Sequence, residues 1–177
     1  MILHWQRNRL PGGGGQPAGP AGSGIDSLAG VSDKPGVKNL FDLSGRHALV
    51  TGAGGGIGTA ICRGFAAHGA SVACLDVVQG AAESAADAVR DQESRGFPIV
   101  CDVTRPEQVS CSVARVLDEF GSLDILVNLA GRGMLKPAAD IALEEWDHIV
   151  NVFLRSTFQF CREVGTHMLE RGTGSII

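Results

Sequence analysis

From about Leu40 onward, short runs of β-forming apolar residues alternate with longer stretches whose apolar residues recur at helical spacing. This texture predicts βαβ units around a parallel sheet. The run His47–Thr51 (HALVT) is continuously apolar, as expected of a strand covered on both faces. A helix is predicted from about Ile57 to His68, with Ile57, Ile61, Phe65 and Ala66 on or near one face and Gly69 as its stop. Next come a strand at Ser71–Asp76, an alanine-rich helix from about Ala81 to Glu93 and a strand at Phe97–Asp102. Thr104-Arg-Pro-Glu107 reads as a capping box, with hydroxyl and carboxylate satisfying orphan amides at a helix start. That helix carries Val109, Val113, Val116 and Leu117 and stops at Gly121. Leu123–Asn128 is the fourth strand, and one long helix is predicted over about Leu143–Arg171. Gly174–Ile177 reads as a fifth strand at its beginning. The expected fold class is α/β, with three α/β/α layers.

Residues 1–39 differ in kind. Pro11 to Gly36 is dominated by Gly, Pro, Ala and Ser, which cannot bury enough apolar surface to offset chain entropy, so a disordered tail is expected there. Residues 40–177 then form one domain, a size that 177 residues with 44% hydrophobic and 19% charged content support. A formal net charge of −4 gives no basic footprint, so neither nucleic acid nor an anionic membrane surface is an expected partner. No run approaches the roughly 20 apolar residues of a bilayer span, and Met1–Leu10 lacks the apolar core of a signal peptide. A cytoplasmic location follows as the expectation. The five cysteines form no C-x-x-C pair and lie in apolar segments, reading as small reduced core residues. His47, His68, His148 and His167 show no metal-ligand spacing and read as surface or helix residues.

The chemistry begins after the first strand, at Thr51-Gly52-Ala53-Gly54-Gly55-Gly56-Ile57-Gly58. A strand, glycine loop and helix in this order aim unpaired N–H groups and the positive end of the helix dipole at one point, where a pyrophosphate can meet bare backbone. The spacing is neither the G-x-G-x-x-G fingerprint nor a Walker loop. The glycines that matter are Gly52, Gly56 and Gly58. Asp76, ending the second strand, is placed to accept hydrogen bonds from both hydroxyls of an adenosine ribose and to repel a 2′-phosphate. Ala53, Gly54, Gly55 and Val77 offer no cation for such a phosphate, so the site favours NAD over NADP. Asp102 and Val103 follow the third strand, where a side chain either contacts the adenine edge or helps cap the next helix. Arg132–Leu135, beyond the fourth strand, either touches substrate or is an ordinary surface loop.

Together these motifs resemble the short-chain dehydrogenase/reductase (SDR) family. The carriers are T-G-x-x-x-G-I-G at Thr51–Gly58, Asp76, the pair Asp102-Val103, N-x-A-G at Asn128–Gly131, W-D-x-x-x-x-N at Trp146–Asn151 and G-S-I-I at Gly174–Ile177. They run in family order from about Phe41 to the last residue. The resemblance implies a Rossmann-like, doubly wound parallel sheet that stops after the start of its fifth strand. It implies that Asn128, Ala130 and Gly131 line the adenine-ribose side of the cofactor, and that Asn151 holds a water in a proton relay. Read without the family, Asn151 is a polar residue on an apolar face that needs a partner or a water if buried. Leu129 departs from the family, which usually has a second Asn there; the turn is expected to survive.

The family's catalytic Ser and Tyr-x-x-x-Lys lie beyond Ile177, the sequence has no tyrosine, and its lysines are Lys34, Lys38 and Lys136. The expectation is therefore the N-terminal part of an NAD-dependent oxidoreductase acting on an alcohol or carbonyl. This part is inactive by itself, poorly soluble or partly molten when alone, and homo-oligomeric when complete. The alternatives are a non-catalytic NAD-binding or helix-mediated interaction module, or a non-functional truncated product. No metal is expected.

Overall fold

The computed structural model describes Leu3–His4 and residues 40–177, so the tail expected over residues 1–39 lies outside the described residues except for that one dipeptide. Leu3–His4 forms a short strand, β1. The remaining strands are β2 (His47–Thr51), β3 (Ser71–Asp76), β4 (Gly96–Val100), β5 (Ile125–Asn128) and β6 (Ser175–Ile176). The helices are α1 (Gly56–Ala67), α2 (Gln79–Arg90), α3 (Pro106–Phe120), α4 (Leu143–Val150) and α5 (Ser156–Arg171).

The sheet order is β1-β6-β5-β2-β3-β4. β2 to β6 run parallel, with Val50 opposite Cys74 on one side and Val127 on the other; β1 pairs antiparallel with β6 at the edge. Because the side-chain period of a strand is 2, each central strand feeds two cores. Leu49, Ala73, Leu75 and Leu126 pack with Val109, Val116, Phe160 and Val164 of α3 and α5. Ala48, Val50, Val72 and Cys74 pack with Cys62 and Ala66 of α1 and Ala85 and Val89 of α2. This is the expected three-layer, Rossmann-like architecture, doubly wound because the chain steps from β2 outward to β4 and then crosses to the other side of β2 as β5.

Three local expectations are corrected. The Thr104–Glu107 capping box does not form. The Thr104 hydroxyl donates to Asp102 Oδ1 at 2.7 Å, α3 opens at Pro106 behind Arg105, and the side chain that reaches back is Gln108, whose Oε1 accepts from the Asp102 N–H at 2.8 Å. The Asp102 carboxylate takes both the Thr104 hydroxyl and its N–H, so the short Asx-type turn wins over the capping box. The long helix is not regular: a five-residue π-turn, Asn151–Arg155, joins α4 to α5. The cysteines are all free, but only Cys62, Cys74 and Cys101 are buried; Cys111 is exposed and Cys161 half-buried. Two helix ends fall where expected, α1 giving way at Gly69 and α3 at Gly121, and α5 ends likewise at Gly172; each glycine has positive φ.

Candidate nucleotide cleft

A cleft of about 300 Å³ opens at the carboxyl ends of the parallel strands, where β5 and β3 flank β2 and the winding reverses. Ligands of open α/β sheets bind at such a reversal. Its walls come from Gly52 after β2, Asp76 and Val77 at the end of β3, Asp102 and Val103 after β4, and Ala130 and Gly131 after β5. Arg132, His148, Val152 and Cys101 also line it.

The glycine loop owes its shape to close backbone contacts. Gly52 has φ +67°, and a Cβ there would lie 3.0 Å from the N and Cα of Ala130. A Cβ on Gly58 would lie 2.2 Å from the Gly52 carbonyl oxygen, so only glycine lets α1 start so close to the loop. Gly54 is bare because α2 sits on it, with Ala81 Cβ 2.4 Å from the position of an added Cβ. Gly56 faces open space. Gly55 caps α1 without a side chain, and no acidic residue occupies the first turn. The N–H groups of Gly56, Ile57 and Gly58 accordingly have no protein acceptor among the described residues. Orphan amides beside open space at the positive end of a 12-residue helix are what a diphosphate needs, so the loop fits the group.

Asp76 is held in place by the same loop. Its Oδ2 accepts from the Gly54 N–H at 3.0 Å and its Oδ1 from the Val78 N–H at 3.1 Å. Each carboxylate oxygen keeps a second lone pair, so the group can still receive two hydroxyls. Asp102 is fixed by Thr104, whose hydroxyl and N–H both donate to Oδ1. The Thr104 hydroxyl, its N–H and the nearby Arg105 hold this carboxyl below the usual carboxylate range, against the opposing effect of burial. Of the two roles open to Asp102, the turn is occupied, and the residue also borders the cleft. Burial pushes the Cys101 thiol up, so this wall residue stays neutral.

The predicted residues do not all meet. Thr51 is buried and does not line the cleft; its hydroxyl accepts the N–H groups of Leu129 and Ala130 at 3.0 and 3.1 Å. This clasp keeps the turn after β5 in place despite Leu129. Asn128 does not line the cleft; its amide donates to the Ile177 carbonyl oxygen at 3.2 Å, and its Oδ1 is buried with no partner among the described residues. Asn151 is the first residue of the π-turn, and its side chain makes no hydrogen bond to a described residue. The helix side chains that reach the cleft are instead His148 and Val152, one turn apart. His148 and Arg132 are the residues sequence reasoning set aside or left open. The usable signal for His148 was its i, i+4 spacing to Val152. No group of three or more His, Cys, Asp or Glu side chains that could hold a metal occurs among the described residues. No described helix is long and apolar enough to cross a membrane.

Comparison with known proteins agrees with this geometry. The pattern of the family described as short chain dehydrogenase matches residues 46–177. The chain is 43% identical to D-threitol dehydrogenase of Mycolicibacterium smegmatis over 139 residues, covering 77% of this chain and 53% of that one. It is 38% identical to 2-dehydro-3-deoxy-D-gluconate 5-dehydrogenase of Bacillus subtilis over 140 residues, covering 78% and 54%. The structure of an NAD+-bound xylitol dehydrogenase superposes with a TM-score of 0.72 at 33% identity, covering 75% of this chain and 51% of that one. The chain thus spans about half the length of the relatives it matches. Since the family match takes in every residue of the cleft and the whole parallel sheet from β2 to β6, this chain belongs to the short-chain dehydrogenase family.

Proposed function

We propose that residues 40–177 form the nucleotide-binding part of an NAD-dependent oxidoreductase that moves hydride between nicotinamide and a small alcohol or its carbonyl. The observation that carries this reading is Asp76: a carboxylate pinned by the Gly54 and Val78 amides, beside a loop whose next amides have no acceptor among the described residues. The loop amides of Gly56, Ile57 and Gly58 would receive the diphosphate, and Asp76 would take the adenosine ribose hydroxyls. Val103, Ala130, Gly131 and Val152 would exclude water from the adenosine. When bound, the dinucleotide supplies the hydride donor or acceptor. The relatives named for threitol and xylitol make sugar alcohols the first substrates to screen. The 177 residues alone give no turnover in this reading, because no tyrosine is present to exchange a proton with the substrate oxygen. Asn151, outside the cleft wall, is not needed for binding. The complete protein would be a homo-oligomer in the cytoplasm.

Titration of the chain with NADH and NADPH, followed by nucleotide fluorescence, tests the reading. NADH is expected to bind at least tenfold more tightly, a difference of about 1.4 kcal/mol, and Asp76→Ala to abolish the preference. Equal affinities, or none for either nucleotide, would overturn it. A second reading, use of NADP, is favoured by Arg132, a cation in the same cleft. Arg132→Ala separates the two, since it weakens NADPH selectively only if Arg132 meets a 2′-phosphate.

A further inference from the structure

Between Leu143 and Arg171 the helix could run unbroken, yet it carries the π-turn at Asn151–Arg155, and the turn sequence NVFLR contains neither glycine nor proline. Isolated π-turns are frequent at functional sites. Here the turn leaves Val152 in the cleft wall, one turn on from His148, while the next side chain, Phe153, reaches the loop after β5. A Cβ added to Gly131 would lie 2.3 Å from Cε1 and 2.6 Å from Cζ of Phe153, so the ring rests against the bare α-carbon. The adjoining Ala130 backbone rests in turn on the bare α-carbon of Gly52. The π-turn, the β5 loop and the glycine loop are therefore stacked, each pressing on the next at a glycine. The Thr51 clasp on the Leu129 and Ala130 amides fastens the same loop from the β2 side. Phe153 does not itself line the cleft and is 46% exposed.

We infer that Phe153 is a positioning residue for the dinucleotide: its ring presses on Gly131 and so sets the spacing between the β5 loop and the glycine loop. This rests on the nucleotide reading of the cleft. The test uses the full 177-residue chain, with NADH titrations made well below the unfolding transition and urea unfolding measured in parallel. Phe153→Ala is expected to weaken NADH about five- to tenfold, the size of a lost aromatic contact, and Phe153→Leu to keep most of the affinity. Gly131→Ala, which drives a methyl into the ring, weakens NADH more than Phe153→Ala. The double variant binds as Phe153→Ala alone, because the clash has gone. A purely structural role would shift the urea midpoint without moving affinity. Unchanged NADH affinity in Phe153→Ala, or additive effects of the two substitutions, overturns the inference. If the parent chain binds no NADH, the nucleotide reading itself fails. The stacking is then judged on the urea data, where non-additivity supports it and additivity overturns it.

Discussion

The β2–α1–β3 unit and the long rod α4–α5 are built on opposite terms. In the first, helix and strands meet through Gly, Ala and Cys: Gly58, Cys62 and Ala66 are the buried residues of α1. The backbones come so close that the amides of Gly56, Ile57 and Gly58 are left bare, with no acceptor among the described residues. In the second, bulk is plentiful and half of it faces water. α4 buries no residue, and Trp146, Leu154 and Phe158 are exposed, whereas Phe160, Val164 and Met168 of α5 are in the core. The lesson is that large side chains specify where a helix docks, while absent side chains specify where a ligand can approach.

Two phenylalanines in one helix sharpen the contrast most. Phe160 is 1% exposed and Phe158 62%. Phe160→Ala is expected to cost about 4 kcal/mol of stability. Phe158→Ala, at an exposed ring over which Arg162 packs, costs about 0.5 kcal/mol. Urea unfolding of both variants measures the difference, and similar midpoints would dissolve the distinction between the rod's two faces. The glycine region is attacked next by Gly58→Ala. A methyl 2.2 Å from the Gly52 carbonyl oxygen cannot be absorbed by a side-chain shift, so a cost of about 3 kcal/mol is expected together with loss of NADH binding. Gly56→Ala, at a position with open space, leaves stability within about 0.5 kcal/mol and reads out ligand approach alone.

Asp76→Ala lies between these extremes. It removes two charge-assisted bonds to backbone amides, for an expected loss of about 2 kcal/mol by urea unfolding. The smallest effect is a pH dependence. Because Asp102 has a depressed folded-state pKa, its contribution is present above the unfolded carboxylate value of about 3.9 and lost as pH falls through the folded value. The side chain is 41% exposed, so screening keeps the contribution to a few tenths of a kcal/mol, roughly. Thr104→Val should lower stability by that amount at pH 7, and the gap to the parent should close as pH falls below the unfolded carboxylate value, as acid titration of the two proteins would show.

Legibility followed the range of the interactions. The parallel strands, the helix stops at Gly69 and Gly121 and the glycine loop were readable because each is decided within a few residues by apolar continuity or by a missing Cβ. The capping box failed although its motif is local, because Asp102, two residues upstream, competed for the same hydroxyl. Thr51 belongs to the glycine-loop motif and Asn128 to the element that the resemblance places beside the cofactor, yet one clasps the β5 loop and the other pairs with Ile177. For His148 the local signal is only its i, i+4 spacing to Val152, which places the two on one helix face but does not say that the face meets a cleft.

The order of strands and helices, the two-faced burial of each central strand and the place of the glycine loop were determined by the sequence itself. They depend on period, glycine placement and β-rich runs, which act through neighbours in the chain. Which side chains meet at the cleft was decided only in three dimensions. Asp76 folds back onto Gly54, His148 and Val152 reach the wall from α4, and a π-turn lays Phe153 on Gly131. Such contacts join residues far apart in the chain, and they exist only once sheet order and helix docking have fixed the backbones.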